Sequence, residues 1–379
     1  MQNFVVSARK YRPAIFDHVL GQPHITTTLK NALRDQHLAQ AFLFCGPRGV
    51  GKTTCARILA KAINCQQITE AIEPCNTCAS CTSFNNHSSL NVYELDAASN
   101  NSVEDIRALV DQVRYPPQSG KYKTYIIDEV HMLSSTAFNA FLKTLEEPPS
   151  YAIFILATTE KHKIIPTILS RCQIFDFHRI QPLAIVQQLK HIAQQEGITY
   201  EEEALHLIGQ KADGALRDAL SIFDLITTFA AGQPLTYQAT LAHLHILDHE
   251  YYFKLIDACL QRDVGKALLL YDEILKAGFD GHHFVTGLSE HLRNLMVCQD
   301  QATLALLEVA DNVKAQYQAQ AVATGTSFLL QALHIANQCD LSYKSSNNKR
   351  LHVELALIDL VQLHESPSGV SAPPPPKVH

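Results

Sequence analysis

The first half of the chain alternates short, mainly apolar runs with longer amphipathic stretches. Such runs are typical of strands buried on both faces of a sheet, and they occur at 41–45, 91–95, 124–127 and 152–156. Between these runs, apolar positions at helical spacing predict helices over about 25–38, 52–62, 103–113 and 135–145. Because buried strands and helices alternate, we predict an α/β domain with a largely parallel sheet.

The strand pattern ends near residue 182, and helical periodicity continues from there. Glycines at 197, 214 and 232 separate several short predicted helices. Longer amphipathic helices follow, with one predicted apolar face made of Leu268, Leu269, Ile274 and Leu275. We therefore predict an α/β domain over 1–180, a small helical domain over 181–240, an all-α domain over 241–365 and a flexible proline-rich tail over 366–379.

Composition predicts a folded chain, and its charge first argues against a nucleic-acid partner. Hydrophobic residues make up 46 % of the chain and charged residues 18 %, which suits a protein with a core. The net charge is 31 − 37 = −6 with histidine neutral, whereas nucleic-acid-binding domains are usually basic. The charge is uneven, because residues 1–190 hold 19 basic and 15 acidic side chains and residues 191–379 hold 12 and 22. The negative sum therefore does not exclude nucleic acid at the first half.

A glycine-rich turn follows the first predicted strand and matches G-x-x-x-x-G-K-[ST]. Glycines let backbone N–H groups converge on phosphate oxygens, and the N-terminus of the next helix adds positive potential. Lys52 can reach the β and γ phosphates of a nucleotide, and the Thr53 hydroxyl can bind Mg²⁺. The predicted nucleotide-binding residues of this turn are Gly46, Pro47, Arg48, Gly49, Val50, Gly51, Lys52, Thr53 and Thr54.

Two adjacent carboxylates, Asp128 and Glu129, end another predicted strand, at the sheet edge where ligands of α/β proteins bind. Successive side chains of a strand point to opposite sides, so the two carboxylates need not share a role. Asp128 suits Mg²⁺ binding, and Glu129 suits activation of a water that attacks the γ phosphate. This chemistry is ATP hydrolysis, and it needs a positive charge near the γ phosphate, for which Arg171 and Arg217 are candidates.

Four of the ten cysteines follow the predicted helix after the glycine-rich turn: Cys65, Cys75, Cys78 and Cys81. Their spacing suits a closed, tetrahedral Zn²⁺ site with a folding role, and an iron–sulfur cluster is the alternative. The chain start lacks the pattern of a signal peptide, and no apolar run has the length of a membrane span. We therefore expect a cytoplasmic protein without membrane contact, in which cysteines serve metal binding or packing.

Further short motifs accompany the glycine-rich turn and the cysteines, at 8–13, 16–22, 94–99, 127–132, 142–148, 157–159, 168–172 and 214–219. Together they resemble the gamma/tau subunits of the bacterial DNA polymerase III clamp loader, a family of AAA+ ATPases, over roughly residues 4–365. The resemblance implies an α/β AAA+ P-loop domain with an inserted zinc-binding module at about 64–84, a small helical lid domain and an all-α collar domain.

The resemblance also implies roles that the spacing leaves open. Thr158 would sense the γ phosphate or the attacking water, and Arg217 would reach the ATP of its own chain from the lid. Arg171 would be an arginine finger that acts on ATP held by the neighbouring subunit. The implied cofactors are ATP, Mg²⁺ and Zn²⁺. The residues expected beside the adenine and ribose are Tyr11, Arg12 and Val19.

The implied partners are the delta and delta-prime subunits, other copies of the chain, the beta sliding clamp and primer–template DNA. Asn101, Ser102, Arg107 and Lys143 would face the duplex or be solvated helix faces. We expect a motor subunit that hydrolyses ATP and loads the clamp during DNA replication. The alternatives are a non-hydrolysing structural subunit of the same ring and an AAA+ helicase or branch-migration motor. The family's longer tau form continues past the collar, so we expect this chain to correspond to the shorter gamma form or to a truncation.

Overall fold

The computed structural model of the protein describes residues 5–118, 120–244, 247–307, 309 and 311–363. Residue contacts divide the chain into two compact units, Met1–Leu235 and Thr236–His379. The finer domain boundaries predicted near residues 180 and 240 stay predictions, and the predicted tail over 366–379 lies outside the described residues. Among the helices of the described ranges, none combines the length and the apolar character that a membrane crossing needs.

The first unit is built around a parallel sheet with the strand order β2-β3-β4-β1-β5. Its strands are β1 (Ala41–Cys45), β2 (Val92–Asp96), β3 (Lys123–Asp128), β4 (Ala152–Thr158) and β5 (Gln173–Asp176). The four predicted strands are confirmed to within a few residues at their ends. The short edge strand β5 was not predicted, because it is exposed at both ends and only Phe175 is buried.

The helices of the first unit are α1 (Ser7–Lys10), α2 (Pro23–Arg34), α3 (Lys52–Ile63), α4 (Ala79–Asn85), α5 (Val103–Val113), α6 (Ser135–Glu146), α7 (Pro166–Leu169), α8 (Pro182–Glu196), α9 (Glu202–Lys211) and α10 (Leu216–Ala230). Helices α2 and α3 cover one face of this sheet and α5 and α6 the other, and α1 packs against α10. The predicted helix over 25–38 ends early, at Arg34, because Gln36 adopts a left-handed conformation with φ 52°. The predicted breaks at Gly197 and Gly214 are confirmed, and both glycines have positive φ.

Alternate side chains of β1 enter two separate cores. Leu43 packs on one face with Tyr125 and Phe154, in a core that also takes residues from α5 and α6. Phe42 and Phe44 pack on the other face with residues of α2 and α3. Because the strands are parallel and buried on both faces, their carboxyl ends meet at one edge of the sheet, where β1 leads into α3.

The described part of the second unit is helical, as predicted. Its helices are α11 (Tyr237–Leu244), α12 (His249–Leu260), α13 (Val264–Lys276), α14 (Gly281–Val297), α15 (Asp311–Ala323), α16 (Thr326–Tyr343) and α17 (Lys349–Val361). The predicted apolar face of α13 is confirmed at Ile274, which is buried, and at Leu275, which packs against the core, but it is wrong at Leu269, which is 72 % exposed. The buried residues are Ala267, Tyr271 and Ile274, which lie one helical turn apart, whereas the neighbours Leu268 and Leu269 point about 100° apart.

Candidate nucleotide and metal sites

The glycine-rich turn between β1 and α3 uses glycine where a side chain would collide with its surroundings. A Cβ on Gly46, whose φ is 144°, would lie 2.5 Å from the carbonyl oxygen of Phe177. A Cβ on Gly49, whose φ is 77°, would lie 2.9 Å from the Cβ of Ala215. Gly51 precedes α3 with φ 106°. The turn therefore leaves the free backbone N–H groups of the first helical turn open to an anion.

The Lys52 side chain lies buried beneath this turn. Its Nζ donates hydrogen bonds to the carbonyl oxygens of Gly46 and Pro47, both at 2.7 Å. Burial lowers the pKa of Lys52, and the nearby carboxylates of Glu129 and Asp128 act in the opposite direction. A partly desolvated cation at the base of the turn is well placed to bind a phosphate oxygen.

Thr53 and Asp128 meet directly, as predicted for residues that bind one metal ion. The Thr53 Oγ1 donates to the Oδ2 of Asp128 at 2.6 Å, which joins the first turn of α3 to the end of β3. The other oxygen of Asp128 accepts a hydrogen bond from the Glu129 N–H at 3.0 Å. A hydroxyl and a carboxylate held together in this way supply the hard oxygen ligands that Mg²⁺ prefers.

Glu129 lies just past the end of β3, so the alternation of a strand does not set the direction of its side chain. Its backbone is left-handed, with φ 48° and ψ 44°. Its Oε2 accepts hydrogen bonds from the Thr159 hydroxyl at 2.9 Å and from the Thr159 N–H at 3.3 Å. The carboxylate is therefore held toward the end of β4, and it also lines the cavity described below.

Sequence reasoning missed His131, which links Glu129 to the end of β4. Its Nδ1 lies 3.0 Å from the Oγ1 of Thr158 and 3.4 Å from the Oε2 of Glu129. Its Nε2 lies 3.1 Å from the Oε2 of Glu160, and the Glu160 N–H donates to Thr158 at 3.0 Å. The available signal was its place two residues after Glu129, within the motif over 127–132.

The glycine-rich turn, Asp128 and Glu129 line a cavity of about 380 Å³, within the usual range for small-molecule sites. Most of the predicted nucleotide-binding residues line it, namely Tyr11, Arg12, Val19, Arg48, Gly49, Val50, Gly51, Lys52, Thr53, Thr54, Asp128, Glu129 and Arg217. Apolar side chains that the sequence analysis did not single out complete the wall: Leu20, Ile180, Leu216 and Leu220. The cavity thus combines the phosphate-binding turn with an apolar side suited to a base.

Four predicted residues do not line this cavity. The carbonyls of Gly46 and Pro47 face Lys52 instead. Thr158 is fully buried behind His131. Arg171 forms an ion pair with Glu146 at 2.8 Å. Their direct contact with nucleotide stays a prediction.

Charged groups of the cavity favour an anionic ligand. Its cations are Arg12, Arg48, Lys52 and Arg217, and its carboxylates are Asp96, Asp128 and Glu129. Burial lowers the pKa of Arg12, and the neighbouring Arg57 acts in the same direction, whereas Glu94 opposes it. Arg217 is the second residue of α10, and its backbone N–H donates to the Gly49 carbonyl oxygen at 3.4 Å. A polyphosphate would relieve the repulsion among these cations.

The residues predicted to face a DNA duplex are placed differently from one another. Asn101, Arg107 and Lys143 are exposed. Ser102 instead begins α5 with a capping box, in which its hydroxyl donates to Asp105 at 2.6 Å and accepts from the Asp105 N–H at 3.2 Å. Capping gives Ser102 a structural role, and the DNA role of all four residues stays a prediction.

The four predicted cysteines come together beside α3. Sulfur atoms of Cys65, Cys75, Cys78 and Cys81 all lie within 4.8 Å of one another. The Cys65 and Cys75 sulfurs are 3.5 Å apart, and those of Cys75 and Cys81 are 3.9 Å apart. Four sulfurs about 2.3 Å from a tetrahedral ion would be about 3.8 Å apart. The cluster therefore fits a closed metal site.

Hydrogen bonds prepare these thiols for metal binding. Backbone N–H groups of Thr77 and Cys78 lower the pKa of Cys75 to about 5, and the Cys78 N–H lies 3.3 Å from its sulfur. The Cys75 N–H donates in turn to the sulfur of Cys65 at 3.3 Å. Burial raises the pKa of Cys65 and of Cys81, and a bound cation would favour their thiolate forms.

Three family models of DNA polymerase III subunits match consecutive parts of the chain. The model described as DNA polymerase III, delta subunit matches residues 21–181. The model of the DNA polymerase III clamp loader subunit, ATPase lid domain, matches 184–232. The model of DNA polymerase III subunits gamma and tau domain III matches 235–371.

Curated relatives extend along nearly the whole chain. DNA polymerase III subunit tau of Bacillus subtilis is 41 % identical over 359 residues, which cover 94 % of this chain and 63 % of that protein. The tau subunit of Escherichia coli is 38 % identical over 364 residues, or 96 % of this chain and 56 % of the relative. The chain thus spans 56 % to 63 % of the length of these two relatives.

A solved structure of Thermotoga maritima RuvB, a Holliday junction branch migration motor, has a TM-score of 0.47 and 18 % identity, over 65 % of this chain and 79 % of that one. The consecutive family matches and the relatives of 36 % to 41 % identity agree with the family resemblance that the sequence motifs indicate. This chain belongs to the gamma/tau subunit family of the DNA polymerase III clamp loader.

Proposed function

We propose that this chain is an ATP-hydrolysing motor subunit that loads a sliding clamp onto primer–template DNA. One observation carries the proposal. The glycine-rich turn, the Thr53–Asp128 pair and Glu129 meet at a single cavity, which Arg217 also lines. A non-hydrolysing subunit would need the turn alone, whereas this cavity also holds a carboxylate suited to activate water.

Each side chain has a distinct part in the proposed reaction. Lys52 and the N–H groups of the turn bind phosphate oxygens, and Thr53 and Asp128 would hold Mg²⁺, which would supply positive charge to offset the charge of the phosphates. Glu129 orients the water and accepts its proton as the water oxygen bonds to the γ phosphorus, while the bond from that phosphorus to the β,γ-bridging oxygen breaks and ADP leaves. Arg217 approaches from α10 and offsets the negative charge that develops on the phosphate oxygens.

The neighbours of the cavity complete the site in this proposal. Tyr11, Arg12 and Val19 line the side for the adenine and ribose. Thr158 acts through His131 on Glu129, because both groups lie within 3.4 Å of the same imidazole nitrogen. Arg171 lies outside the cavity of its own chain, which is consistent with service to a neighbouring subunit.

The family suggests the partners, and the cysteine geometry suggests the metal. We assign the delta and delta-prime subunits, further copies of this chain, the beta sliding clamp and primer–template DNA as partners. We assign Zn²⁺ to the four cysteines, since their sulfur spacing suits a tetrahedral ion and all four positions are filled by protein. A closed site of this kind supports folding and leaves no position for chemistry on the metal.

A Glu129→Gln variant in the reconstituted clamp loader tests the proposal. Glutamine keeps an oxygen to accept from Thr159 but cannot take a proton. We expect ATP binding to persist and the hydrolysis rate to fall at least about a hundredfold. Glu147→Gln, the same change at an exposed position, should leave both unchanged.

The wild-type complex supplies the other half of the test. Its ATPase rate should rise when clamp and primed DNA are added together. An ATPase rate that does not change when clamp and primed DNA are added would refute the loader function. Equal turnover in wild type and Glu129→Gln would favour a structural subunit, and strand displacement in the absence of clamp would favour a helicase or branch-migration motor.

A further inference from the structure

Glu73 is a buried carboxylate inside the cysteine module, here defined as residues 65–81. It lies two residues before Cys75, and only 5 % of its surface is exposed. Its two oxygens accept hydrogen bonds from the backbone N–H groups of Phe16 at 2.7 Å and Asp17 at 3.0 Å. The contacts therefore join the module to a segment more than fifty residues earlier in the chain.

Lys30 of α2 offsets the charge of this carboxylate. Its Nζ lies 2.6 Å from Glu73 and 2.6 Å from Asp17, and its side chain is largely buried. Burial by itself would lower the pKa of Lys30, but its hydrogen bonds to Asp17 and Glu73 outweigh that effect and raise the pKa. A buried carboxylate with a cation and two N–H donors has the partners that make its burial tolerable.

The segment held by Glu73 leads directly into the nucleotide cavity. Phe16 is fully buried and begins the short 3₁₀ turn Phe16–His18, so its N–H and the next one lack partners within the turn. The turn closes with a hydrogen bond from the Val19 N–H to the Phe16 carbonyl at 3.0 Å. Val19 and Leu20 then line the cavity. Glu73 thus fixes the start of the turn whose end forms the wall.

The position of Glu73 depends in turn on the cysteine module. Its backbone N–H donates to the Thr69 hydroxyl at 3.0 Å, and its carbonyl accepts from the Thr69 N–H at 2.9 Å. This small loop is closed on either side by Cys65 and Cys75, whose sulfurs are 3.5 Å apart. An ion held by the cysteines would therefore also hold Glu73 in place.

We propose that Glu73 is a positioning residue through which the cysteine module holds the base-side wall of the nucleotide cavity. The inference rests on the proposed function, since it takes ATP as the ligand of that cavity. The phosphate side is held separately, by Lys52 and by the Thr53–Asp128 pair. Loss of Glu73 should therefore weaken recognition of the nucleoside while leaving recognition of the phosphates intact.

Binding of two probes to the full chain separates these sides. Mg-ATP contacts both sides of the cavity, whereas Mg-tripolyphosphate has no base or ribose. For Glu73→Ala we expect the Kd of Mg-ATP to rise about tenfold, the order expected when a hydrogen-bonded charged group is lost. The Kd of Mg-tripolyphosphate and the metal content should stay at the wild-type values. Glu70→Ala, an exposed glutamate in the same loop, should match wild type with both probes.

Glu73→Gln covers the case in which the alanine variant does not fold. Glutamine fills the same volume but turns an NH₂ group toward an N–H donor or toward Lys30, so we expect a smaller rise in the Kd of Mg-ATP, again without effect on tripolyphosphate. Unchanged ATP affinity in the folded variants, or equal loss for both probes, would overturn the inference. If wild type itself fails to bind Mg-ATP, the proposed function fails and the inference with it, so the two failures are distinguishable.

Discussion

Replacement of Arg171 by alanine should remove hydrolysis while sparing the fold. The Arg171 guanidinium donates to Glu146 at 2.8 Å and to the Thr167 carbonyl at 2.7 Å. It does not line the cavity of its own chain. If it serves ATP on a neighbouring subunit, its loss harms the site of that subunit and not the site of its own chain.

The loss of Arg171 should affect protein stability much less than it affects the rate of ATP hydrolysis. The side chains of Arg171 and Glu146 are 34 % and 48 % exposed, and ion pairs in such surroundings contribute about 0–1 kcal/mol to stability. An arginine finger accelerates phosphoryl transfer by roughly 10³–10⁵, which corresponds to about 4–7 kcal/mol of transition-state stabilisation. Arg171→Ala should therefore change the free energy of unfolding by less than about 1 kcal/mol and reduce the hydrolysis rate about a thousandfold or more.

The assay compares three preparations of the reconstituted ring. Rings with only Arg171→Ala chains, or only Lys52→Ala chains, should not hydrolyse ATP. A mixture of the two should regain part of the activity, because a chain with intact Lys52 can lie beside a chain with intact Arg171. Arg114→Ala, which removes another exposed arginine paired with a carboxylate, is the matched control and should behave as wild type.

Several results would refute this reasoning. ATP affinity of the isolated Arg171→Ala chain should equal that of wild type, and a large loss would place the side chain at its own nucleotide. A hydrolysis rate near wild type in rings of Arg171→Ala chains would show that Arg171 contributes to no ATP site. A mixture as inactive as its two components, in rings shown to contain both chains, would argue against service between subunits.

Three further predictions concern packing and protonation. Gly49→Ala places a Cβ 2.9 Å from that of Ala215 at φ 77°, so we expect a stability loss of about 1–2 kcal/mol and weaker ATP binding by calorimetry. Phe154→Ala empties a core position packed against Tyr125 and should cost about 3–5 kcal/mol in urea unfolding, whereas exposed Leu90→Ala should cost less than about 0.5 kcal/mol. Burial lowers the pKa of His291 from 6.5 to about 3, so the unfolded state binds its proton first. Stability should fall as pH drops from 6.5 toward 3, by at most about 1.4 kcal/mol per unit, and His291→Gln should flatten that slope.

The predictable parts of the fold and the site are those fixed by local sequence. The run Ala41–Cys45 and the glycines after it specify a buried strand and a phosphate-binding turn without reference to distant residues. Asp128 and Glu129 follow from the same logic, since a parallel sheet brings its carboxyl ends together. The spacing of the four cysteines likewise predicted their cluster, in which the sulfurs lie within 4.8 Å of one another.

Features set by contacts between distant segments were not predictable. The edge strand β5 shows little burial, so apolar periodicity does not reveal it. The sequence of α13 contains several leucines that could form its buried face. Packing against other helices determines that Tyr271 is buried and Leu269 is exposed. The role of His131 depends on a contact between the ends of β3 and β4. The role of Glu73 depends on a contact between the cysteine module and the Phe16 turn. Neither contact can be inferred from local sequence.

Contacts at Gly49 explain how nucleotide binding can be coupled to the position of α10. Arg217 donates its N–H to the Gly49 carbonyl, and the Cβ of Ala215 lies 2.9 Å from the position that a Cβ on Gly49 would take. The phosphate-binding turn and the start of α10 therefore cannot move independently. A ligand that orders the turn must bias α10 as well, and by linkage a partner that shifts α10 must change nucleotide affinity by the same factor. The proposed motor function needs this coupling, and the contact lies at a glycine whose φ of 77° disfavours any other residue.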